Sequence, residues 1–159
     1  MKQVLNNEDS ALSKQVGGNH YKNFPYQPLA FAEVIKMTPC GTNILKCVCR
    51  YPTKYGEQDL EKVLHYMELH KEINGVTPLY LYDSLTAVTG FSFEEKQKVN
   101  AIFYKFLKEN WNHFNGYQMK IILAIESSDF EQIIRCTEEE IEKLYKIEGE
   151  NAPAKSKQS

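Results

Sequence analysis

Hydrophobic positions recur at helical spacing along almost the whole chain, and no segment sustains the period-two alternation of a half-buried strand. The pattern predicts an all-α protein. Pro28, after Gln27, occupies an early helix position where a missing N–H costs nothing, and Phe31, Val34 and Ile35 give that first helix an apolar stripe. Thr38-Pro39-Cys40-Gly41 reads as its end. A short second helix is expected over 42–51, stopped by Pro52, which also biases Tyr51 towards an extended backbone. After a turn at Thr53-Lys54-Tyr55-Gly56, Leu60, Val63, Leu64 and Met67 mark one face of a third helix over 57–73, closed by Asn74-Gly75.

Thr77-Pro78 opens a further segment predicted over 79–88. Ser92 with Glu95 three residues on forms a capping-box signature, and Val99, Ile102, Phe103, Phe106 and Leu107 predict the longest helix behind it. A mostly apolar run over 117–125 is expected to be buried, and Ser128-Asp129 to cap a short helix. Thr137 with Glu140 suggests a second capping box before Ile141, Leu144 and Tyr145. The expectation is a single compact helical domain of about six to eight helices with disordered termini, an arm over 1–16 and a tail over 148–159.

Composition narrows the function. With 159 residues, 42% of them hydrophobic, the chain can bury one core and is too short for two. A net charge of -2 and a pI of about 6.1 exclude a global field that would hold a nucleic-acid backbone, so no nucleic-acid partner is expected and any anion site must be local. The apolar runs are too short to span a bilayer, and Met1 to Asn7 lacks the apolar core of a signal peptide, so a cytoplasmic protein with no membrane partner is expected. Cys40, Cys47, Cys49 and Cys136 include no CxxC pair and read as buried reduced thiols rather than metal ligands. No metal site of protein ligands is expected.

One local concentration of donors stands out. On a helix, Asn43, Lys46 and Arg50 fall within about 60° of one another at 100° per residue, with Leu45, Val48 and Cys49 opposite. Lys54 follows just beyond the turn, and together these cations form the one dense basic cluster of a slightly acidic chain. Arg50 suits bidentate phosphate binding, and a helix N-terminus at Thr42 would add free N–H groups for an anion. A solvated charged face is the competing reading. Asn19, His20 and Tyr21 lie in the loop before the first helix, and their ring donors and aromatic face suit a nucleobase. Asp59, with Lys62 and Tyr66 at helical offsets, would extend the polar site to a metal-bound nucleotide or a ribose hydroxyl, although acidic residues in a first turn are also favoured by the helix dipole. His65 and His70 do not share the face a zinc pair needs and read as surface or boundary residues. The chain has no GxxxxGK phosphate loop and no ExxE followed by ExxD, the set with which all-α pyrophosphohydrolases hold magnesium.

Asn19-His20-Tyr21, Gln27-Pro28, Asn43 with Lys46, Arg50-Tyr51, Lys54, Gly56, Asp59-Leu60, Lys62 and Tyr66 together resemble a family of small bacteriophage proteins of unknown function. That family includes a podophage nucleotide kinase that acts on dTMP and dGMP without a P-loop. The resemblance covers residues 17–73, marking 17–75 as a nucleotide-kinase-like region and 76–147 as a helical extension. The chain departs from the family where an aromatic follows the lysine, having Cys47 there, and where a Gly-Asn pair is usual, having Gly41-Thr42-Asn43. The resemblance implies a nucleotide-binding protein in the host cytoplasm, most simply a nucleoside monophosphate kinase using ATP and Mg2+. Lys46, Arg50 and Asp59 would then be catalytic, and Asn19, His20, Tyr21, Gln27, Asn43, Tyr51, Lys54, Lys62 and Tyr66 would bind ligand. Two alternatives remain open: a non-catalytic sponge for a signalling or cyclic nucleotide of host defence, and a helical protein that binds and inhibits a host protein. A homo-oligomer is expected, because one short helix cannot surround a nucleotide.

Overall fold

The computed structural model describes residues 21–81 and 92–151, and these include six α-helices, with no strand among them. The fold is all-α. Asn19, His20, residues 1–16 and 152–159 and most of the segment expected over 79–88 lie outside the described residues, while 148–151, expected in the tail, belong to the last helix.

Helix α1 (Pro28–Val34) starts where Gln27-Pro28 indicates. It ends in a Schellman motif: Met37 N–H donates to the Ala32 carbonyl at 2.9 Å and Lys36 N–H to that of Glu33 at 3.4 Å, with Lys36 at φ +54°. Helix α2 (Pro39–Arg50) begins three residues earlier than the sequence suggested. Thr38 is its N-cap, accepting a hydrogen bond on Oγ1 from Gly41 N–H at 3.0 Å, and Pro39 is its first residue, so Thr38-Pro39-Cys40-Gly41 opens a helix rather than closing one. A Cβ on Gly41 would collide with the Leu79 carbonyl, so the glycine admits the strand-like Leu79-Tyr80 segment rather than stopping the chain. Leu79 and Tyr80 are correspondingly not helical: Tyr80 forms an isolated antiparallel bridge with Met37, and Thr38 N–H donates to the Leu79 carbonyl at 2.8 Å.

A 3₁₀ turn (Tyr51–Thr53) follows α2, and Tyr51 keeps helical angles (φ -53°, ψ -37°) despite preceding Pro52. Helix α3 (Glu57–Asn74) starts after Gly56 and ends at Gly75, both glycines at positive φ. Helix α4 (Phe93–Glu109) carries the expected capping box of Ser92 and Glu95. After a 3₁₀ turn (Trp111–His113) come α5 (Gly116–Glu126) and α6 (Phe130–Asn151). The longest of the six is α6, not α4. Thr137 caps nothing; it lies in mid-helix, buried, and its hydroxyl donates to the Ile133 carbonyl at 2.6 Å, so one helix replaces the two expected there.

A single core runs through all six helices. Leu45 and Val48 of α2, Val63 and Met67 of α3, Phe103 and Phe106 of α4, Ile121 and Ile125 of α5 and Ile133 of α6 are shut off from solvent, and Phe31 stacks on Phe106 at 4.1 Å. Burying side chains of this size stabilises the fold by about 1.5–3 kcal/mol each. The region resembling the phage family and the extension after it therefore share one interior. Polar ties cross the same seam. Gln118 Nε2 donates to the Val48 carbonyl (2.9 Å) and the Cys49 carbonyl (3.2 Å), satisfying groups that the end of α2 leaves without helical partners. The buried Asn110 side chain clasps the Tyr26 backbone, accepting from its N–H at 3.1 Å and donating to its carbonyl at 2.7 Å.

All four cysteines are free and buried. His70 is fully buried rather than at the surface: Nε2 donates to the Thr77 carbonyl at 2.8 Å, Nδ1 faces the Asn74 amide at 3.4 Å, and the ring stands edge-on to Phe130. No helix among the described residues is long and apolar enough to cross a membrane.

Candidate functional site

The last turn of α2, the turn behind it and the first two turns of α3 bring together the residues that carry most of the charge singled out in the sequence. Beyond its first turn, α2 is partly exposed at Thr42, Asn43, Lys46 and Arg50, while Ile44, Leu45, Cys47, Val48 and Cys49 are buried. Helical geometry thus separates a packed face from a polar stripe as expected, with Cys47 added to the packed side. The backbone N–H of Thr42 does not serve an anion; it donates to the Thr38 carbonyl at 2.8 Å inside a helix that starts earlier.

Arg50 turns towards α3 and grips Asp59. Its Nε donates to Oδ2 at 3.0 Å and to Oδ1 at 3.2 Å, and Nη2 donates to Oδ1 at 2.8 Å. The Asp59 side chain is fully buried and that of Arg50 is 18% exposed. Lys62 Nζ lies 3.9 Å from the same carboxylate. The bond to Asp59 holds the guanidinium pKa above its ordinary range, against the opposing effect of burial. Nη2 also approaches the Cys47 sulfur at 3.8 Å, and burial pushes that thiol up, so Cys47 is an acceptor rather than a nucleophile. Tyr21 closes the site from the side. Its hydroxyl donates to the Lys46 carbonyl at 3.3 Å, and burial pushes its pKa up to about 12 even with Arg50 beside it.

Tyr55, which the sequence reading passed over, organises the rest. Tyr55 is 47% exposed, and three cations stand over its ring: Lys54 Nζ at 4.6 Å from the centroid, Lys62 Nζ at 5.0 Å and Arg50 Cζ at 5.6 Å. The available signal was an aromatic in the turn between two helices, one residue after Lys54 and seven before Lys62.

Other predicted ligands fall elsewhere. Tyr51 is buried on the far side of α2, where its hydroxyl donates to Glu140 at 2.7 Å and accepts from Asn115 Nδ2 at 2.6 Å, with its ring edge-on to Tyr117. It belongs to the packing between α2, α5 and α6. Gln27 is the N-cap of α1, and its carbonyl accepts from Phe31 N–H. Tyr66 is half-buried against the core two turns along α3 from Asp59.

The magnesium role suggested for Asp59 does not fit. Both carboxylate oxygens are engaged by Arg50, the side chain has no exposed surface, and its neighbours Arg50 and Lys62 are cations. Among the described residues, no group of three or more His, Cys, Asp or Glu is arranged to hold a metal ion. What the cluster can do is attract an anion: Arg50, Lys54 and Lys62 crowd one ring, Lys46 lies one helical turn before Arg50, and the carboxylate among them, Asp59, is already matched.

The chain matches no protein-family model, no curated protein and no solved structure.

Proposed function

We propose that this chain is a nucleotide-binding protein that holds phosphate groups on Lys46, Lys54 and Lys62, and that it acts as a nucleoside monophosphate kinase on deoxynucleotides with ATP as donor. The supporting observation is the convergence of cations from two helices and a turn on one small surface of a protein whose net charge is -2. The activity is the one implied by the resemblance of residues 17–73 to the phage family. Phosphoryl transfer asks mainly for positioning and charge neutralisation. A phosphate acceptor is already ionised at neutral pH, so the reaction needs no carboxylate base, and the burial of Asp59 is compatible with it. Arg50 is then a positioning residue, locking the end of α2 to the start of α3.

One observation favours a second reading, a sponge that holds a signalling nucleotide unchanged. The site carboxylate is withdrawn from the ligand, leaving a surface of donors. One experiment separates the two. The full chain is incubated with ATP, Mg2+ and dTMP or dGMP, and the nucleotides are weighed by mass spectrometry. Formation of ADP with dTDP or dGDP is expected. Unchanged masses together with a thermal shift on nucleotide addition would leave the sponge standing, and neither turnover nor a shift with any mono-, di- or cyclic nucleotide would overturn both.

A further inference from the structure

We infer that the ligand of this site carries two or more linked phosphate groups, as in a nucleoside di- or triphosphate, and that Lys54 and Lys62, which both stand over Tyr55, grip that chain. The inference rests on the nucleotide reading above and narrows its substrate class.

Cation crowding is the first ground. Lys54 and Lys62 both place their ammonium groups within 5.0 Å of the centre of one ring, and Arg50 adds a guanidinium at 5.6 Å. The two ammonium groups are therefore no farther apart than about one Debye length, the range in which like charges repel with little screening. A ring attracts each cation by only about 0.5–1 kcal/mol at an exposed site. The arrangement thus keeps charges poised that an anion would stabilise far better than the ring does.

Charge balance is the second. Arg50, Lys54 and Lys62 supply three positive charges around Tyr55 and Lys46 a fourth one helical turn before Arg50, while Asp59 supplies one negative charge, which leaves an excess of three. A single phosphate monoester brings about -1.5 to -2 at neutral pH. A chain of two or three phosphates supplies the remainder and reaches more than one lysine at a time. The nearby acids of α3 do not offset the excess. Glu57 and Glu61 lie along a different edge of the helix, where the Tyr145 hydroxyl donates to Glu57, and desolvation, followed by the charges of Glu61 and Glu148, pushes the Glu57 carboxyl pKa up.

Accessibility is the third. Lys62 is 39% exposed and Tyr55 is 47% exposed, and among the described residues Lys54 makes no ion pair, so these groups are open to a ligand in a way that Arg50 and Asp59 are not.

The test is calorimetric titration of the full chain, without added metal, by thymidine, dTMP, dTDP, dTTP, the matching deoxyguanosine series and inorganic tripolyphosphate. Affinity should rise at least tenfold from mono- to triphosphate, and tripolyphosphate alone should bind and compete. The Lys54→Gln/Lys62→Gln variant, whose changes lie at partly exposed positions, should keep its thermal stability and lose the increment, bringing triphosphate down to the affinity of monophosphate. Equal binding of dTMP and dTTP, or an increment that survives the double substitution, would overturn the inference and leave the nucleotide reading intact. If tripolyphosphate binds and no nucleotide does, the grip stands and the nucleotide reading falls. Binding by none of these ligands overturns both.

Discussion

Arg50 and Asp59 form a forked ion pair, with Nε on Oδ2 at 3.0 Å and Nη2 on Oδ1 at 2.8 Å, that joins the last residue of α2 to the first turn of α3. Eight residues of chain turn back on themselves between the partners, and the pair fixes where Lys54, Tyr55 and Lys62 sit. Removing one partner of a buried pair leaves the other charge desolvated, which is more damaging than losing both. Arg50→Ala should therefore lower stability by about 3 kcal/mol, the low end for buried pairs because the arginine is partly exposed. Arg50→Met with Asp59→Leu should recover most of that loss. Urea denaturation of the three proteins measures it, and a double variant no more stable than Arg50→Ala would show that the pair is not the cause.

Gly56 adopts φ +50°, ψ -121°, a combination that side chains strongly disfavour, and its carbonyl accepts from Asp59 N–H at 3.2 Å. Gly56→Ala has open space around the new methyl, so its cost isolates backbone strain. A loss of about 1–3 kcal/mol is expected. Tyr55 would shift with the turn, so tripolyphosphate affinity should fall in the same variant. An unchanged denaturation midpoint would show that the turn relaxes freely.

Two helices end with the wrong residue for their geometry. Lys36 and Ser128 both sit at positive φ in Schellman motifs, Ser128 with its N–H on the Ile125 carbonyl and Asp129 N–H on that of Ala124. Glycine is the usual choice there. Lys36→Gly and Ser128→Gly should each add about 0.5–1 kcal/mol, raising Tm by about 1–4 °C apiece for a chain of this size. The sites share no hydrogen-bond partner, so scanning calorimetry of the double variant should give the sum of the two shifts.

Alkali should unfold the protein cooperatively. Burial raises Tyr21 and Tyr80 to about 12 from an ordinary 10.0, and raises Tyr51 and Tyr117 further. A phenol whose pKa is raised in the fold favours the neutral form, so its stabilisation is complete below pH 10 and is lost as the pH climbs through the folded value. Tyrosinate absorbance and far-ultraviolet circular dichroism should therefore change together above pH 10. Ionisation of every tyrosine near its ordinary value with the helices intact would contradict the buried placements.

Residues 17–75 expressed alone should not fold. The isolated segment would expose Phe31, Ile35, Leu45 and Val48, which in the full chain pack into a core shared with Phe103, Phe106 and Ile121, and it would lose the Gln118 bonds to the end of α2. Circular dichroism should show weak helicity and no cooperative melt. A sharp transition in that fragment would make it an independent domain.

Where the chemistry of a signal is local, the sequence was readable. Apolar spacing predicted an all-α chain, the Ser92 and Glu95 pair marked a helix start, and Gly75 marked a helix end, because each acts within a turn of its own position. The stripe of Asn43, Lys46 and Arg50 was readable for the same reason. Signals with two meanings were not. Pro39 closes a helix as naturally as it opens one, and the choice fell to Thr38, whose hydroxyl caps α2 while its N–H reaches Leu79, some forty residues on. Thr137 and Glu140 spell a capping box, yet burial of Ile133 and Thr137 carries one helix straight through them.

Sequence alone determined the all-α class, the packed and polar faces of α2 and the presence of a basic cluster on an acidic chain, since periodicity and charge are properties of residue order. Tertiary structure alone decided which of those charges are matched by a buried partner and which stay open to solvent. It withdrew Tyr51 to Glu140 and Asn115, buried Asp59 under Arg50, and raised Tyr55 to the centre of the cations. The physical reason is that a buried charge requires a matched partner, and the side chain that supplies it is identified only when two helices meet.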